Sequence, residues 1–170
     1  MIQLYTGEGK GKTTAAIGQT IRAAGRGWPV LFSQFMKGND SGEWNILRTL
    51  PQITICRSDK NFGFYRDMTE TQKRELTEIH NRIMDKLLSE AENGTCKMIV
   101  LDEITYPVKW GLLDVEKLKR LLDYGDRIEI LLTGRGAVDF LQDSADYITC
   151  MTAVRHPYEK GITAREGIEY

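Results

Sequence analysis

A glycine-rich segment near the start of the chain contains the residue types that bind phosphate groups. It reads TGEGKGKTT over residues 6–14. Glycines let successive backbone N–H groups converge on phosphate oxygens, and a helix beginning at Lys12 adds the partial positive charge of its N-terminus. The Lys12 ammonium can neutralise terminal phosphates, and the Thr13 hydroxyl can bind Mg²⁺. We therefore predict a phosphate loop here, although the general pattern GxxxxGK[ST] places a glycine where this chain has Thr6.

Two acidic residues, Asp102 and Glu103, follow an apolar run in the middle of the chain, MIVL over residues 98–101. A run without alternation is typical of a strand that is buried on both faces of a parallel sheet. The carboxyl end of such a strand would lie beside the phosphate loop, where ligands of α/β proteins bind. Carboxylate oxygens are ligands that Mg²⁺ prefers, so both residues are candidates for a metal site, directly or through water.

Other candidate residues have weaker signals. Arg135 follows a predicted strand and could meet a phosphate, but a solvated arginine in a surface turn is the alternative. Arg22 lies late in the first predicted helix, where a solvated side chain is the more common role. Three aromatic residues, Phe62, Phe64 and Tyr65, occur in an otherwise polar, glycine-containing segment. They either pack beneath that loop or contact an apolar ligand.

Short apolar runs alternate with helical patterns along the chain. Strands are predicted over 2–6, 30–34, 53–56, 98–101, 128–133 and 147–152. Helices are predicted over 12–24, after a capping box that begins at Thr69, and after a possible cap at Asp114. This alternation predicts an α/β fold of three layers, with a mainly parallel central sheet covered by helices.

Composition limits the class of protein. The 170 residues include 23 Lys and Arg and 24 Asp and Glu, and the formal net charge is -1. We expect one domain over residues 1–170, with a polar tail over 155–170 on or near the site. A near-zero charge argues against a nucleic-acid partner, and no apolar run reaches the about 20 residues of a membrane span. Because the start also lacks the pattern of a signal peptide, we predict a cytoplasmic protein.

Taken together, the motifs resemble the P-loop corrinoid adenosyltransferases, which transfer the 5′-deoxyadenosyl group of ATP to Co(I) of a corrinoid. The resemblance covers nearly the whole chain. Its segments are TGEGKGKTTAA at 6–16, QFMKG at 34–38 before Gly42 and Glu43, VLDEITY at 100–106, TGRG at 133–136, and VRHPYEKGITAREGIEY at 154–170. The family's own loop resembles TGxGKGKTT, so the resemblance accounts for Thr6 and implies a P-loop NTPase-type fold.

The resemblance also implies roles for individual residues. The ATP-binding residues would be Gly7, Glu8, Gly9, Lys10, Gly11, Lys12, Thr13, Thr14 and Arg22, the last near the nucleotide sugar. Thr13 and Glu103 would bind Mg²⁺, Asp102 would act on the metal through another ligand, and Arg135 would lie near the phosphates. The family holds ATP in the reverse of the usual direction, because the adenosyl carbon is attacked rather than the γ-phosphorus.

Substrates and partners follow from the same resemblance. ATP, Mg²⁺ and a corrinoid are expected, together with a separate reductant for cobalt and a homodimeric assembly. Phe62, Phe64 and Tyr65 would contact the corrinoid, although the family's aromatic loop ends in a tryptophan that this segment lacks. Family members commonly carry an N-terminal extension over the site. Since this chain begins about where the first strand begins, we expect that lid to be absent or to come from another subunit.

Two other functions remain open at this stage. In an ordinary P-loop ATPase or kinase, Asp102 would hold the metal and Glu103 would activate water. In a non-catalytic corrinoid or nucleotide sensor, the ligands would bind without turnover. Phosphate release favours the first function, and corrinoid binding without turnover under strong reductant favours the second.

Overall fold

A central sheet of six parallel strands organises the protein. The structure is a computed structural model, and it describes residues 1–36 and 41–168. The strands are β1 (Ile2–Thr6), β2 (Val30–Gln34), β3 (Ile53–Arg57), β4 (Met98–Asp102), β5 (Glu129–Thr133) and β6 (Tyr147–Cys150). Their order across the sheet is β3-β2-β4-β5-β1-β6, and every neighbouring pair is parallel.

Helices cover both faces of this sheet. They are α1 (Lys12–Ala24), α2 (Gly42–Leu47), α3 (Glu70–Glu92), α4 (Thr105–Lys109), α5 (Val115–Leu122) and α6 (Asp139–Asp143). Short 3-10 helices occur at Tyr65–Asp67, Asp123–Asp126 and Pro157–Lys160. Successive side chains of a strand point to opposite faces, so Phe32 packs with α1 on one face and Leu31 packs with α3 and α5 on the other. The predicted three-layer α/β fold with a parallel sheet is therefore confirmed.

Local signals explain where the main elements begin and end. The structure has β1, α1 and β2 with the bounds that the sequence predicts, whereas β3 and β4 are each one residue longer and β6 is two residues shorter. Helix α3 begins at a capping box, in which Thr69 Oγ1 accepts from the Gln72 backbone at 3.2 Å. The sequence analysis did not predict α2, α4 or α6. Residues 37–40, which include the end of the QFMKG segment, and residues 169–170 of the tail lie outside the described residues.

All six strands end at one edge of the sheet, and this edge positions the candidate site. Residues 58–68, which we call the aromatic loop, follow β3 at one side of this edge. The next three strands in spatial order, β2, β4 and β5, end at Gln34, Asp102 and Thr133. The phosphate loop follows β1 next, and the segment leading to the tail follows β6. Because β3 and β6 are the two edge strands, the aromatic loop and the tail lie on opposite sides of the sheet's carboxyl edge.

None of the helices within residues 1–36 and 41–168 combines the length and the apolar character that crossing a bilayer requires.

A buried histidine, His80, lies in α3 against the core. Its side chain is 1 % exposed, its Nδ1 is 2.9 Å from the Leu112 carbonyl oxygen, and the Phe35 ring packs edge-on at 5.2 Å. Burial lowers the pKa of His80 from 6.5 to about 4, although the backbone hydrogen bond opposes the shift. The imidazole is therefore neutral near pH 7, and it fits as a core residue.

We expect this histidine to make folding stability depend on pH. The unfolded chain binds a proton at His80 below about pH 6.5, whereas the folded chain does so only near pH 4. The free energy of unfolding should therefore be highest above pH 6.5 and fall by up to about 3 kcal/mol towards pH 4. Urea unfolding at several pH values measures this slope. His80→Gln should flatten it relative to the wild type, whereas the tail variant His156→Gln should keep it. Equal slopes for wild type and His80→Gln would contradict the expectation.

Candidate active site

The phosphate loop connects β1 to α1 in a tight backbone turn. Gly7 and Gly11 have φ of 95° and 117°, in the left-handed region that favours glycine. A Cβ at Gly7 would also lie 2.4 Å from the Met151 carbonyl oxygen, so no other residue fits without moving the backbone. The loop is held from the β6 side, because the Gly9 N–H donates to the same carbonyl at 2.7 Å. This arrangement fixes the path of the backbone that a phosphate would approach.

Lys12 lies inside this loop, at the first position of α1. Its Nζ donates to the carbonyl oxygens of Gly7 at 2.7 Å and Gly9 at 2.8 Å, and the residue is only 5 % exposed. Burial lowers the pKa of Lys12, and the nearby Arg135 lowers it further. The carboxylates of Glu103, Glu8 and Asp102 oppose that shift. The ammonium is thus positioned beside the loop amides and within the field of the carboxylates that follow β4 and β1.

The structure brings Asp102 next to the phosphate loop. Asp102 ends β4 and is fully buried, and its Oδ1 accepts hydrogen bonds from the hydroxyls of Thr13 at 2.9 Å and Thr133 at 2.7 Å. Gln34 Nε2 lies 3.4 Å from the other carboxylate oxygen. Asp102 therefore connects the start of α1 to the ends of β2 and β5.

Glu103 follows directly and has an unusual backbone conformation. Its φ is 61°, which is uncommon for a residue with a Cβ. Its N–H donates to Thr133 Oγ1 at 3.0 Å, so one hydroxyl group holds both acidic residues. The neighbouring Thr105 hydroxyl donates to the Arg135 carbonyl at 2.9 Å, and a Cβ at Gly134 would lie 2.0 Å from that hydroxyl oxygen. The sequence analysis gave no role to Thr133 or Thr105, although both lie in segments that carry the family resemblance, TGRG and VLDEITY.

The donor atoms at this point fit Mg²⁺. The Thr13 hydroxyl donates to Asp102, and the Glu103 carboxylate follows Asp102 in the chain. Hydroxyl and carboxylate oxygens are the hard ligands that Mg²⁺ uses together with substrate phosphates. In the part of the chain that the structure describes, no three His, Cys, Asp or Glu side chains form a metal cluster. A Mg²⁺ ion here would thus depend on phosphate oxygens as well.

Four other predicted site residues, Arg135, Lys10, Thr14 and Arg22, lie at different distances from the phosphate loop. Arg135 lies at the loop, where its Nη1 is 3.2 Å from Glu8 Oε2 in an exposed ion pair. Lys10 and Thr14, which belong to the phosphate-loop segment at 6–14, are both exposed. Arg22, in contrast, lies in the last turn of α1, about 15 Å along the helix axis from Lys12, and contacts Gln19. The structure does not bring Arg22 to the phosphate loop.

The aromatic loop separates its three rings into different environments. Phe62 packs against the core, whereas Phe64 is 75 % exposed. Tyr65 stacks on Trp110 with ring centroids 4.3 Å apart, and Trp110 stacks on Tyr106 at 4.7 Å. The loop itself lacks a tryptophan, but the segment after β4 supplies one to it. Trp110 was missed because it lies 45 positions beyond Tyr65 in the chain.

Comparison with known proteins gives consistent results along the chain. The sequence model of the family described as ATP:corrinoid adenosyltransferase BtuR/CobO/CobP matches residues 1–170. The corrinoid adenosyltransferase CobA of Salmonella typhimurium is 34% identical over 182 residues, with 100% of this chain and 85% of the relative covered. The corrinoid adenosyltransferases of Escherichia coli K12 and Pseudomonas aeruginosa are 32% and 29% identical over 174 residues, covering 100% of this chain and 85% and 83% of the relatives.

A solved structure supports the fold independently. A KaiC-like protein from Pyrococcus horikoshii OT3 superposes with a TM-score of 0.50 at 16% identity, covering 89% of this chain and 72% of that one. At this identity, the likeness concerns the fold alone. The family match spans every position of the chain, including the phosphate loop and the carboxylates after β4, and the predicted family and activity class are thereby confirmed. The chain belongs to the ATP:corrinoid adenosyltransferase family.

Proposed function

We propose that ATP lies along the carboxyl edge of the sheet, with its phosphates in the phosphate loop and its 5′ carbon directed towards the aromatic loop. The order of elements along this edge is the observation that carries the proposal. The phosphate loop follows β1, the two carboxylates follow β4, and the aromatic loop follows β3 beyond them. A corrinoid over the aromatic loop would then face the adenosyl end of the nucleotide.

The reaction needs a nucleophile, a leaving group and little proton transfer. Co(I) of the corrinoid supplies the electron pair for the new cobalt–carbon bond, and the bond between C5′ and the α-phosphate oxygen breaks. The triphosphate leaves with that electron pair, so its growing negative charge is what the protein must stabilise. The Lys12 ammonium and the loop N–H groups are positioned for this role. No general base is required, which is consistent with the neutral, buried His80.

The acidic residues organise the leaving-group side of the site. Bound by Thr13 and Glu103, Mg²⁺ would supply charge neutralisation for the phosphate oxygens. Asp102 would act through Thr13, because its Oδ1 accepts the Thr13 hydroxyl proton and thereby orients the oxygen. Thr133 would keep both acidic residues in register through its two hydrogen bonds. Arg135, paired with Glu8, would add a cation at the phosphates.

The aromatic residues would form the corrinoid face of the site. The exposed Phe64 is the ring that is free of the core, and the stack of Tyr65, Trp110 and Tyr106 provides a rigid surface beside it. Apolar rings on the cobalt face exclude water, which would otherwise coordinate the metal of the substrate. The same surface would compensate for the tryptophan that the loop lacks.

Several features of the working protein are proposals of the same kind. A separate reductant would deliver Co(I), and the working assembly would be a homodimer, as the family resemblance implies. Dependence on ATP favours a cytoplasmic location. Binding of the nucleotide sugar would fall to residues nearer the loop than Arg22, unless that helix end contacts the nucleotide of another subunit.

Anaerobic incubation with ATP, Mg²⁺ and chemically reduced cobalamin tests the reaction. We expect a light-sensitive cobalt–carbon product and one triphosphate for each adenosyl group transferred. Release of ADP and phosphate instead would indicate an ATPase or a kinase. Corrinoid binding without either product would indicate a sensor, and both outcomes would contradict the proposal.

Replacing Phe64 with alanine tests the corrinoid face. Because this ring is exposed, its loss should leave thermal stability within about 0.5 kcal/mol of the wild type. We expect corrinoid affinity to fall by roughly tenfold or more while ATP affinity stays unchanged. Alternatively, the bound Co(II) corrinoid should no longer lose its axial ligand, so that the optical and paramagnetic spectra of four-coordinate Co(II) disappear.

Phe62→Ala is the matched control, because that ring packs against the core. It should lower stability and disturb both ligands together. Unchanged corrinoid binding and spectra in Phe64→Ala would show that the corrinoid lies elsewhere.

A further inference from the structure

An open pocket of about 340 Å³ lies between the phosphate loop and the tail, which is residues 155–168 in the described chain. We refer to it as the tail pocket. Its lining includes Lys10 from the phosphate loop together with Arg155, His156 and Arg165 from the tail, and none of the described lining residues is acidic. The protein as a whole carries nearly equal numbers of acidic and basic residues, so this is a local concentration of positive charge. Such a lining selects an anion.

Backbone hydrogen bonds attach the segment between β6 and the tail to the phosphate loop. The Met151 N–H donates to Thr6 O at 2.8 Å, and the Met151 carbonyl accepts from the Gly9 N–H at 2.7 Å. Thr152 and Ala153, the next two residues, line the tail pocket. The pocket is therefore continuous with the wall of the loop, and an anion in it would lie next to phosphates bound there.

The direction of ATP decides which phosphates these are. The segment that leads to the tail follows β6. This strand is at the edge of the sheet, beside β1 and opposite to the β3 edge. If the 5′ carbon points towards the aromatic loop after β3, the α-phosphate lies on the side of the carboxylates. The chain of phosphates then continues in the opposite direction, towards β6.

We propose that the tail pocket binds the terminal phosphates of ATP and of the triphosphate product, with Lys10, Arg155 and Arg165 as the binding cations. The proposal rests on the direction of ATP given under the proposed function. Guanidinium groups suit this role, since their planar N–H donors match phosphate oxygens in pairs. The arrangement also places the terminal phosphate away from Glu103, where an activated water would otherwise hydrolyse it.

Binding measurements with inorganic triphosphate test the tail pocket without the corrinoid reaction. The variants are Arg155→Gln, Arg165→Gln and the double variant, and the control is Lys160→Gln, an exposed tail residue that does not line the pocket. At fixed ionic strength, we expect calorimetry to show at least a tenfold loss of affinity for inorganic triphosphate and for ATP in the double variant. ADP affinity should change less than threefold, and Lys160→Gln should bind all three like the wild type.

Other outcomes would overturn the proposal. If the double variant loses ATP and ADP affinity equally, or loses neither, the terminal phosphate lies elsewhere. Circular dichroism and the melting temperature without ligand establish that each variant is folded. A wild-type protein that transfers no adenosyl group would contradict the proposed function, whereas the comparison of triphosphate with ADP tests the tail pocket separately.

Discussion

Replacing Lys12 with alanine is expected to abolish adenosyl transfer and to lower ATP affinity by roughly 10²–10³-fold. The ammonium donates to two carbonyl oxygens of the loop at 2.7 and 2.8 Å. These hydrogen bonds fix it where the proposed function places the phosphates of ATP. Arg135 lies at the edge of the site in an exposed pair with Glu8, so it does not occupy the position that the Lys12 ammonium holds inside the loop. Calorimetric titration with ATP and the corrinoid assay under reducing conditions measure the two effects.

A suitable control for Lys12→Ala is Lys97→Ala. Lys97 is exposed and directly precedes β4, at the opposite edge of the sheet from the site. We expect that variant to bind ATP and to turn over like the wild type. The ligand-free melting temperature of Lys12→Ala reports whether the loop carbonyls tolerate the loss of their donor. If a folded Lys12→Ala protein keeps its ATP affinity and activity, the segment is not the phosphate loop.

The second large effect concerns the two neighbouring carboxylates. We expect Glu103→Gln to lower kcat by about 100-fold and to raise the Mg²⁺ concentration for half-maximal activity by about tenfold. Asp102→Asn should be milder, since asparagine keeps the side-chain shape and an acceptor oxygen for Thr13 and Thr133. Gln at position 103 instead removes charge from the proposed direct ligand.

Mg²⁺ titrations of both variants separate their roles. Asp102→Asn is the matched comparison, because it makes the same chemical change one residue earlier in the chain. If Asp102→Asn alone removes the dependence on Mg²⁺, then Asp102 is the direct ligand. In that event, Glu103 would be available to activate water, and the ATPase interpretation would gain support.

The sequence predicted what depends on neighbouring residues. The phosphate loop connects β1 to α1 because Gly7 and Gly11 permit backbone angles that other residues avoid. Thr69 predicts the start of α3 because its capping partner, Gln72, lies only three positions later. Helices α4 and α6 have five residues each, too few to complete two turns of an apolar pattern, so periodicity could not reveal them.

Contacts between distant segments could not be predicted in this way. The hydrogen bond from Thr13 to Asp102 joins residues 89 positions apart, and it exists because the order of the strands brings the end of β4 near the start of α1. The stack of Tyr65 on Trp110 has the same origin. A resemblance to the family pointed to the phosphate loop and to the end of β4, which the structure brings together, but it could not show that a tryptophan outside the aromatic loop stacks on that loop.

The left-handed backbone of Glu103 sets a limit on engineering this enzyme for heat resistance. A residue with a Cβ costs roughly 1 kcal/mol in that conformation, which glycine adopts freely. A redesign guided by folding free energy alone would therefore choose position 103 early and replace the glutamate. The resulting protein would be more stable and would lack the carboxylate that we propose as a Mg²⁺ ligand. Thermostabilisation of this fold must leave that strained residue in place and obtain its gains far from the carboxyl edge.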